Sequence, residues 1–462
     1  MTGFIDFIES INGAVNSVVW GPVMLVLLIG TGIYLSVRTG CIQATKFGYI
    51  MKNTVGTLFK KNEHKDSKNL TPFQAVTTAL AGTVGTGNIA GVTGAIFVGG
   101  PGAVFWMWFS AFFGMFTKFA EILLALYYRQ TDAEGMHYGG PMYYIEKGLK
   151  IKWLAVIFAI LGGFACFGIG NIAQANEIAG AMQDLIGLKP LTTGIILAII
   201  TAVVVIGGVK RIGQVTSYLV PFMAIFYIAA GVIVIVTNLS GIPHVFSLIF
   251  KEAFSLKSIG GGIFGYTIMM AMRQGFARGV FSNEAGLGSA PIAHAASSAK
   301  EPGDQAMWGV FEVFIDTIVI CTITAFAVLL SGIYTQDIGA FASKGAAAAT
   351  AFNMLLPGTV GGKVIQVGLL LFALSTILGW SYYGERCWAY LTNNNKFVDL
   401  AFKILFVFVI IIGSAGSGTL MWDISDTLNG MMAIPNLVAL LLLSGTIIKL
   451  TNTYFAKAKA KK

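Results

Sequence analysis

The sequence predicts an all-α polytopic membrane protein with eleven transmembrane helices, and three observations lead to this fold class. Of the 462 residues, 56% are hydrophobic and only 11% are charged, and the mean hydropathy is +0.77. A soluble chain of this composition would have to bury more apolar surface than one domain core can hold. Eleven apolar runs are each long enough to cross a bilayer core about 30 Å thick. Glycine and polar residues interrupt two of these runs, which predicts two broken helices.

The predicted helices are numbered 1 to 11 in chain order. They cover approximately 16 to 38, 71 to 99, 102 to 128, 151 to 181, 190 to 209, 212 to 237, 259 to 280, 305 to 332, 362 to 385, 397 to 418 and 428 to 450. The chain then divides into an extra helix with a basic loop, a five-helix repeat, an outer amphipathic segment, a second five-helix repeat and a basic tail. These parts are 1–70, 71–238, 239–258, 259–450 with a long outer loop at 333–360, and 451–462.

The distribution of Lys and Arg predicts which side of the membrane each loop faces. The loop after helix 1 is basic, and the tail KLTNTYFAKAKAKK carries five lysines. Every second connection, together with this tail, collects most of the 30 basic residues on one side. Cytoplasmic loops carry the excess of positive charge. We therefore expect a multi-pass protein of a prokaryotic-type plasma membrane, with its N-terminus outside and its C-terminus in the cytoplasm.

Helix 2 contains the stretch LAGTVGTGNIAGV, from Leu80 to Val92, in which four of thirteen residues are glycine. Glycine alone is also compatible with close packing of helices. However, Thr83, Thr86 and Asn88 lie in the same two turns, and asparagine at this depth is costly unless it contacts a polar group. Non-helical backbone inside a membrane must line a cavity or be buried in protein. We therefore predict that helix 2 unwinds, so that its amides bind an anion and its carbonyls bind a cation.

The best candidate for a second broken helix is helix 7, in which glycines, Arg273, Gln274 and Arg278 interrupt an apolar run. Helix 7 follows helix 2 by five helices, which is an odd number. Repeats formed by helices 2 to 6 and 7 to 11 must therefore cross the membrane in opposite directions. Many secondary transporters have such an inverted repeat, and their paired broken helices form a binding site near the membrane midplane.

The motifs GTVGTGN in helix 2 and RGVFSNEAGLGSAP after helix 7 resemble those of the alanine/glycine:cation symporter family, in the amino acid-polyamine-organocation superfamily. The resemblance extends over essentially the whole chain. It implies a leucine-transporter-type fold, with helices 2 to 11 as a ten-helix core and helix 1 as an addition. It also implies uptake of alanine or glycine coupled to sodium or, in some members, to protons.

The resemblance places the substrate on the first broken helix. The substrate carboxylate is expected at the backbone amides of three consecutive residues, with two polar neighbours beside them. These residues are Gly85, Thr86, Gly87, Thr83 and Asn88. The substrate ammonium is expected at helix 7 carbonyls around Met270 to Gln274, because a buried carboxylate pair would be costly.

Helix 4 is expected to form a second wall of the site. Phe164, Phe167, Asn171 and Gln174 recur at steps of three and four residues, so they share one helix face. Aromatic residues in such a stripe are also common in plain packing, so this prediction depends on the two amides. Trp380 of helix 9 would narrow the cavity to a substrate the size of alanine or glycine.

In the fold that the sequence resembles, helix 9 supplies two hydroxyl groups to a sodium ion, and carbonyls of the first broken helix complete the site. In this sequence the assignment falls on five neutral oxygens. They are the hydroxyls of Ser375 and Thr376 and the carbonyls of Ala81, Val84 and Phe372. Hard cations take oxygen ligands. The alternative is that both hydroxyls bond only to their own helix.

Two further pairs of charged residues lie within predicted helices, Lys118 with Glu121 in helix 3 and Glu312 with Asp316 in helix 8. The first pair lies one turn apart and is expected to form an ion pair. The second pair is expected to bond to an arginine of helix 7 as a gate, or to carry protons. All four histidines fall in predicted loops, so no histidine proton relay is expected.

These patterns predict a secondary active transporter that imports small neutral amino acids with sodium by alternating access. A proton-coupled symporter stays open as an alternative. A channel fits less well, because channels arrange polar residues around a continuous pore. No enzyme is expected, because the glycine loop follows no strand and neither H-E-x-x-H nor G-x-S-x-G occurs. The expected partners are alanine or glycine and the lipid bilayer, without nucleic acid or an obligatory protein partner.

Overall fold

The computed structural model describes residues 2–57, 68–254, 266–416 and 418–460. The helices that correspond to predicted helices 1 to 11 are Thr2–Val19 with Pro22–Arg38, Pro72–Thr83 with Ala90–Gly99, Gly102–Tyr127, Lys152–Phe167 with Ala173–Ile186, Pro190–Val205, Gly208–Thr237, Tyr266–Asn283 with Ala290–Ala295, Pro302–Val313 with Thr322–Ser331, Val360–Leu391, Lys396–Ala415 and Gly418–Leu442. We call the two pieces of helix 2 helices 2a and 2b, and those of helix 7 helices 7a and 7b.

Short elements lie in the connections and at the interruptions. The short α-helices are Ile42–Thr45, Phe47–Asn53, Pro141–Tyr144, Ile242–Ala253 and Lys344–Leu355, and Ser444–Ala460 forms the tail. The 3-10 turns are Val55–Thr57, Thr86–Asn88, Leu239–Gly241, Ile333–Thr335 and Ile338–Ala340, and the π-helical turns are Ile145–Leu149, Gly168–Ile172 and Phe314–Cys321. Two strands, Gln130–Thr131 and His137–Tyr138, form an antiparallel hairpin between helices 3 and 4.

The helices are long and apolar enough for a multi-pass membrane protein. Within the described part of the chain, eight helices pass this test singly, and the bent pair in helix 2 makes a ninth span. Predicted helix 5 is shorter, with 16 residues. The beginning of predicted helix 7, at 259–265, lies outside the described residues. The count of eleven spans therefore stays a prediction.

Helix 2 starts at a capping box that fixes its first turn. Thr71 Oγ1 accepts a hydrogen bond from the Gln74 amide (3.1 Å), and Gln74 Oε1 accepts one from the Thr71 amide (3.0 Å). Just before it, the Leu70 amide donates to the Ala296 carbonyl (3.1 Å), and the Ser298 amide donates to the Leu70 carbonyl (2.8 Å). The start of helix 2a is therefore tied to the chain that follows helix 7b.

Helix 7 ends later than the sequence predicts. The prediction over 259–280, with the motif RGVFSNEAGLGSAP after the helix, is wrong. Helix 7a continues to Asn283, the chain then unwinds, and helix 7b completes the span. Residues 279–297 are all buried. The hydropathy signal stops early because the motif is rich in polar residues, although neighbouring helices cover them.

The helix Ile242–Ala253 lies within the predicted amphipathic segment. Its buried residues, Val245, Ile249 and Ala253, recur every four residues and so form one apolar stripe. The last part of the predicted segment, 255–258, lies outside the described residues.

Candidate functional site

Helix 2 is broken, and its two pieces are bent by 56°. Val84 and Gly85 have extended backbone conformations, and a single 3-10 turn leads to helix 2b. Side chains take up two of the freed amides. The Gly85 amide donates to Asn88 Oδ1 (2.9 Å), and the Thr86 amide donates to Gln174 Oε1 (3.3 Å). The structure therefore has the break that the glycine-rich stretch predicts.

The second break separates helix 7a from helix 7b. Glu284, Gly286 and Gly288 have φ angles of +58°, +94° and +81°. At Gly288 a Cβ would be strained, and it would also lie only 2.6 Å from Pro141 Cγ. A positive φ is uncommon for a residue such as Glu284, and it persists only where the surrounding structure fixes it.

Two charged residues of helix 3 hold the ends of this second break. Lys118 Nζ donates to the carbonyl of Asn283 (2.8 Å), the last residue of helix 7a. Glu121 Oε1 accepts from the amides of Gly286 and Gly288 (3.1 Å each), just before helix 7b. A cation at a helix C-terminus and an anion near an N-terminus both match the helix dipole. The predicted bond between these two residues is wrong, because each binds the backbone of helix 7.

The two breaks meet at Asp316 of helix 8, a fully buried carboxylate. Asn88 Nδ2 donates to Asp316 Oδ1 (2.6 Å), whereas Ser282 Oγ and Thr317 Oγ1 donate to Oδ2 (2.9 and 2.8 Å). Gly87 also packs on helix 7a, since a Cβ there would lie 3.5 Å from Ser282 Cα. Asp316 therefore joins the two breaks rather than pairing with an arginine of helix 7, which corrects its predicted role in a gate.

Several buried polar atoms at the breaks have no hydrogen-bond partner among the described residues. They are Thr86 Oγ1, Asn171 Oδ1, Glu284 Oε1 and Trp380 Nε1. Glu284 Oε2, in contrast, accepts from Ser289 Oγ (2.7 Å). The Trp380 indole lies beside the Glu284 carboxylate and packs on Gly170. Buried polar atoms without partners are costly, so this group marks a place where a ligand can complete the bonding.

Four of the five oxygens predicted to bind sodium lie together between helices 2 and 9. The Ser375 and Thr376 hydroxyls donate to the Phe372 carbonyl (2.8 and 2.9 Å). This is the predicted alternative of bonding within the helix. Ser375 Oγ also lies 3.4 Å from the Val84 carbonyl, which joins helix 9 to the break in helix 2. Ser375 therefore bonds within helix 9 and across to helix 2, whereas the Thr376 hydroxyl bonds within helix 9.

Gly85 is packed directly on this group of oxygens. A Cβ at Gly85 would overlap Thr376 Oγ1. Ala81 is buried in helix 2a, one turn before the break. Thr83, which was expected to lie beside the substrate, donates its hydroxyl to the Ala79 carbonyl (2.7 Å) within the helix. The donor set near Gly85 consists of neutral oxygens, which fits a hard monovalent cation.

Helix 4 contributes its two amide side chains to the region of the breaks. Gln174 bonds to the Thr86 amide, as described above, and Asn171 Nδ2 donates to the Phe406 carbonyl (2.7 Å). Phe167 packs on the Phe406 ring with centroids 5.9 Å apart. The Phe167 ring therefore packs in the interface between helices 4 and 10.

Phe164 does not share this face, and its predicted place in the site is wrong. Its side chain is 49% exposed and packs on Trp388 with ring centroids 5.5 Å apart. The π-helical turn Gly168–Ile172 adds a residue to one turn of helix 4. Spacing of three and four residues therefore does not keep Phe164 on the face of the residues that follow the turn.

The helix 7 residues from Met270 to Gln274 lie away from both breaks. Gln274 packs on Gly99 at the far end of helix 2b, and Met270 lines an apolar groove beside helix 1. The break begins after Asn283, which lies about 14 Å beyond Gln274 along the helix axis. The prediction that carbonyls of this segment bind the ammonium is therefore wrong.

Arg278 pairs with helix 11 rather than with helix 8. Its Nη1 and Nη2 donate to Asp426 Oδ1 and Oδ2 (3.0 and 2.5 Å). The guanidinium also lies over the Phe281 ring, 5.4 Å from its centroid. The predicted pairing of this arginine with Glu312 or Asp316 is wrong. The pair instead joins helix 7a to helix 11 just beyond the breaks.

A buried polar network lies on the other side of the breaks. Glu312 pairs with Lys118 (3.6 Å) and with His294 Nε2 (2.6 Å). Gln305 Nε2 lies 2.9 Å from His294 Nδ1 and donates to the Pro72 carbonyl (3.2 Å). His294 therefore belongs to the buried helix 7b, and its predicted place in a loop is wrong for the same reason as the helix 7 boundary.

The residues that the sequence reasoning missed are Phe281, Ser282, Glu284 and Asp426. The first three lie in the motif RGVFSNEAGLGSAP, which hydropathy alone places after the membrane span. Extending helix 7 through this motif would have found them, because three glycines alternate with polar residues there as they do in helix 2. Asp426 carried no comparable signal, since its partner is distant in the sequence.

Comparison with known proteins identifies the family of this chain. A model described as the sodium:alanine symporter family matches residues 5–462. The sodium/alanine symporter AgcS of Methanococcus maripaludis is 48% identical over 454 residues, which cover 97% of each chain. An uncharacterized transporter of Haemophilus influenzae is 44% identical over 455 residues, which cover 98% of this chain and 97% of the relative. The crystal structure of MhsT in complex with L-phenylalanine covers 84% of this chain and 99% of its own.

MhsT has a TM-score of 0.59 and 15% sequence identity to this chain, so the likeness concerns the fold. It confirms the leucine-transporter-type architecture. The family and the relatives are transporters, so the expectation that the chain is not an enzyme is confirmed. The chain is a multi-pass membrane transporter with Na⁺ as its coupling ion, and it belongs to the sodium:alanine symporter family.

Proposed function

We propose that this chain couples sodium entry to the uptake of alanine and glycine by alternating access. The observation that carries the proposal is the meeting of two broken helices at one buried centre. Unpaired polar atoms lie at these breaks, and Ser375 Oγ of helix 9 lies 3.4 Å from the Val84 carbonyl of helix 2. Paired broken helices at the membrane midplane bind substrate and ion in inverted-repeat transporters.

The substrate carboxylate fits the helix 2 break, at the amides of Gly85, Thr86 and Gly87. The Thr86 amide bonds to Gln174 at 3.3 Å, which is a long hydrogen bond that a charged acceptor can replace. The unpaired Thr86 hydroxyl can donate to the same carboxylate. Asn88 holds the Gly85 amide and so keeps the break in shape.

The substrate ammonium fits the helix 7 break. Glu284 Oε1 is buried, and the donor beside it is the uncharged Trp380 indole. A buried carboxylate costs free energy unless it is paired and hydrogen-bonded, and an ammonium group supplies both the charge and the donors. This assignment places the ammonium about 15 Å from the segment that the sequence suggested.

The substrate must be small, because large rings lie close to both breaks. Trp380 packs so tightly on Gly170 that a Cβ there would overlap it. Phe281 packs tightly on Gly87, since a Cβ there would lie only 3.1 Å from the ring. Alanine and glycine offer little side chain, so the site recognises the groups that all amino acids share and rejects bulk sterically.

Coupling follows from the short segment that serves both ligands. The Val84 carbonyl lies 3.4 Å from Ser375 Oγ and Gly85 packs on Thr376 Oγ1, whereas the Thr86 amide bonds to Gln174 on the proposed substrate side. Each ligand therefore stabilises the same extended backbone, and the second to bind finds that backbone already ordered. The affinity of one ligand then rises with occupancy by the other, and the effect is reciprocal.

Alternating access requires that contacts on the two sides of the breaks open in turn. On the side of helix 7a, which the charge distribution predicts to be outside, the Arg278–Asp426 pair is the closing contact. On the predicted cytoplasmic side, the Leu70 backbone pairs with Ala296 and Ser298. We propose that the first contact breaks for substrate entry and the second for release.

The test is uptake of labelled alanine by purified protein in proteoliposomes. We expect accumulation above the external concentration when a sodium gradient is imposed, and none with choline in place of sodium. Glycine should compete with alanine, and phenylalanine should not. Accumulation driven by a proton gradient without sodium would favour the proton-coupled alternative, and passive flux without accumulation would favour a channel. A Thr376→Ala variant should need more sodium.

A further inference from the structure

A groove of about 730 Å³ opens on the membrane-facing surface between helix 1 and the core. Its walls are apolar side chains from helix 1, helix 3 and helix 7a. They include Leu25, Ile29, Trp106, Phe109, Met272 and Phe276. Neither the substrate site nor the ion site uses this groove.

The groove exists because helices 1 and 3 touch at one point and then diverge. At Gly32 they are in close contact, since a Cβ there would lie 3.0 Å from Phe113 Cβ and 3.1 Å from Thr117 Oγ1. At Gly30 nothing lies within 4 Å of the Cβ position. Helix 1 is also interrupted just before Pro22. The space left between the helices is lined by Gly30 and is open toward lipid.

Among the described residues, Arg273 is the one basic residue that lines this groove. Its side chain is partly buried and forms no ion pair or hydrogen bond within the described ranges, which include helices 1, 3 and 7a. Arg273 precedes Asn283 by ten residues, or about 15 Å along the helix. If the break lies at the midplane, this distance is half of a bilayer core about 30 Å thick. The guanidinium therefore lies at the level of the lipid headgroups.

We propose that the groove binds one anionic phospholipid, with an acyl chain against its apolar walls and the phosphate on Arg273. A guanidinium binds phosphate with two parallel hydrogen bonds, and a partly buried cation needs such a partner. Basic pockets between transmembrane helices bind anionic headgroups. Met269, Met270 and Met272 give the groove flexible walls, which suit an irregular chain.

Native mass spectrometry of the full-length protein tests this site. The probes are phosphatidylglycerol and phosphatidylcholine with identical acyl chains. We expect the wild type to retain one phosphatidylglycerol about tenfold more strongly than phosphatidylcholine, as a charge-assisted contact implies. Arg273→Gln should abolish this preference. The control is Arg211→Gln, because exposed Arg211 bonds to the Val203 carbonyl (2.7 Å) away from the groove, and it should retain the preference.

A second variant separates the acyl chain from the headgroup. Gly30→Leu adds side chain where the structure has open space, so it should fill the groove without disturbing the fold. It should reduce phosphatidylglycerol retention although Arg273 is intact. Equal retention of the two lipids by the wild type, an unchanged preference in Arg273→Gln, or full retention in Gly30→Leu would overturn the proposal.

Discussion

Replacing Gly85 with alanine tests whether the helix 2 break forms part of the sodium site. The backbone at Gly85 is extended, with φ −137° and ψ −156°, and alanine can adopt an extended conformation. The main new interaction is therefore that of the added methyl group. This methyl would overlap Thr376 Oγ1 and would lie 3.4 Å from Thr376 Cβ. The Thr376 hydroxyl must then move away from the proposed ion position.

The size of the effect follows from the packing at this position. An extra methyl group in a well-packed site costs about 1 to 3 kcal/mol, which corresponds to about 5- to 150-fold in an equilibrium constant. The initial rate of alanine uptake into proteoliposomes, measured at increasing sodium concentrations, reports this change. We expect the sodium concentration for half-maximal uptake to rise by a factor within this range. At saturating sodium the KM for alanine should change less.

Gly91→Ala is the matched control, because Gly91 lies in the same helix and an added methyl group there has no close neighbour among the described atoms. The nearest atom to a Cβ there is Arg278 Cδ at 3.9 Å. Its sodium dependence should stay within about twofold of the wild type, since a methyl group at this buried position meets its nearest neighbour only at ordinary van der Waals distance. If Gly85→Ala and Gly91→Ala showed the same sodium dependence, the assignment of the ion to this segment would be refuted.

Three further predictions concern the charged residues around the breaks. Glu284→Gln removes the proposed partner of the substrate ammonium, so the KM for alanine should rise about tenfold or more, whereas an unchanged KM would contradict the assignment. Asp426→Asn removes the negative charge from a largely buried bidentate ion pair with Arg278 and so weakens this closing contact. It should lower the alanine gradient that is reached while changing equilibrium alanine binding by less than about fivefold, and a normal gradient would exclude a role in closure. Glu121→Gln replaces the carboxyl acceptor of two helix 7 amides, so the thermal unfolding midpoint should fall, with a loss of about 1 kcal/mol. An unchanged midpoint would show that Glu121 does not hold the break.

The break in helix 2 could be predicted from the sequence because its signal is local. Four glycines and three polar residues lie within a long apolar run, so the surrounding hydropathy fixes the span while the interruption stays visible. The predicted contact between helices 2 and 9 needed the family resemblance, because no local pattern shows that Ser375 approaches Val84. The structure places these two groups 3.4 Å apart.

The break in helix 7 could not be located in the same way. The polar residues of helix 7 end its hydropathy signal. Hydropathy therefore predicts a loop where the motif in fact unwinds the helix. What keeps this segment within the span is tertiary, namely the bonds from Lys118 and Glu121 to its backbone. Sequence periodicity places those two residues one turn apart and suggests only that they bond to each other.

Helix 4 shows a different limit of sequence periodicity. Regular helical spacing predicts that Phe164 and Asn171 lie on one face of helix 4. The π-helical turn between them shifts the register, and no residue type in that turn indicates the shift in advance. The two amides of the stripe lie near the breaks, whereas the first phenyl ring faces outward.

Equilibrium binding tests most directly whether one unwound segment, 84–87, binds both the substrate and the sodium ion. Alanine affinity of the purified protein should be measured with and without saturating sodium, and sodium affinity with and without saturating alanine. We predict that each ligand strengthens binding of the other by the same factor, about fivefold or more. Alanine binding that is independent of sodium would contradict it.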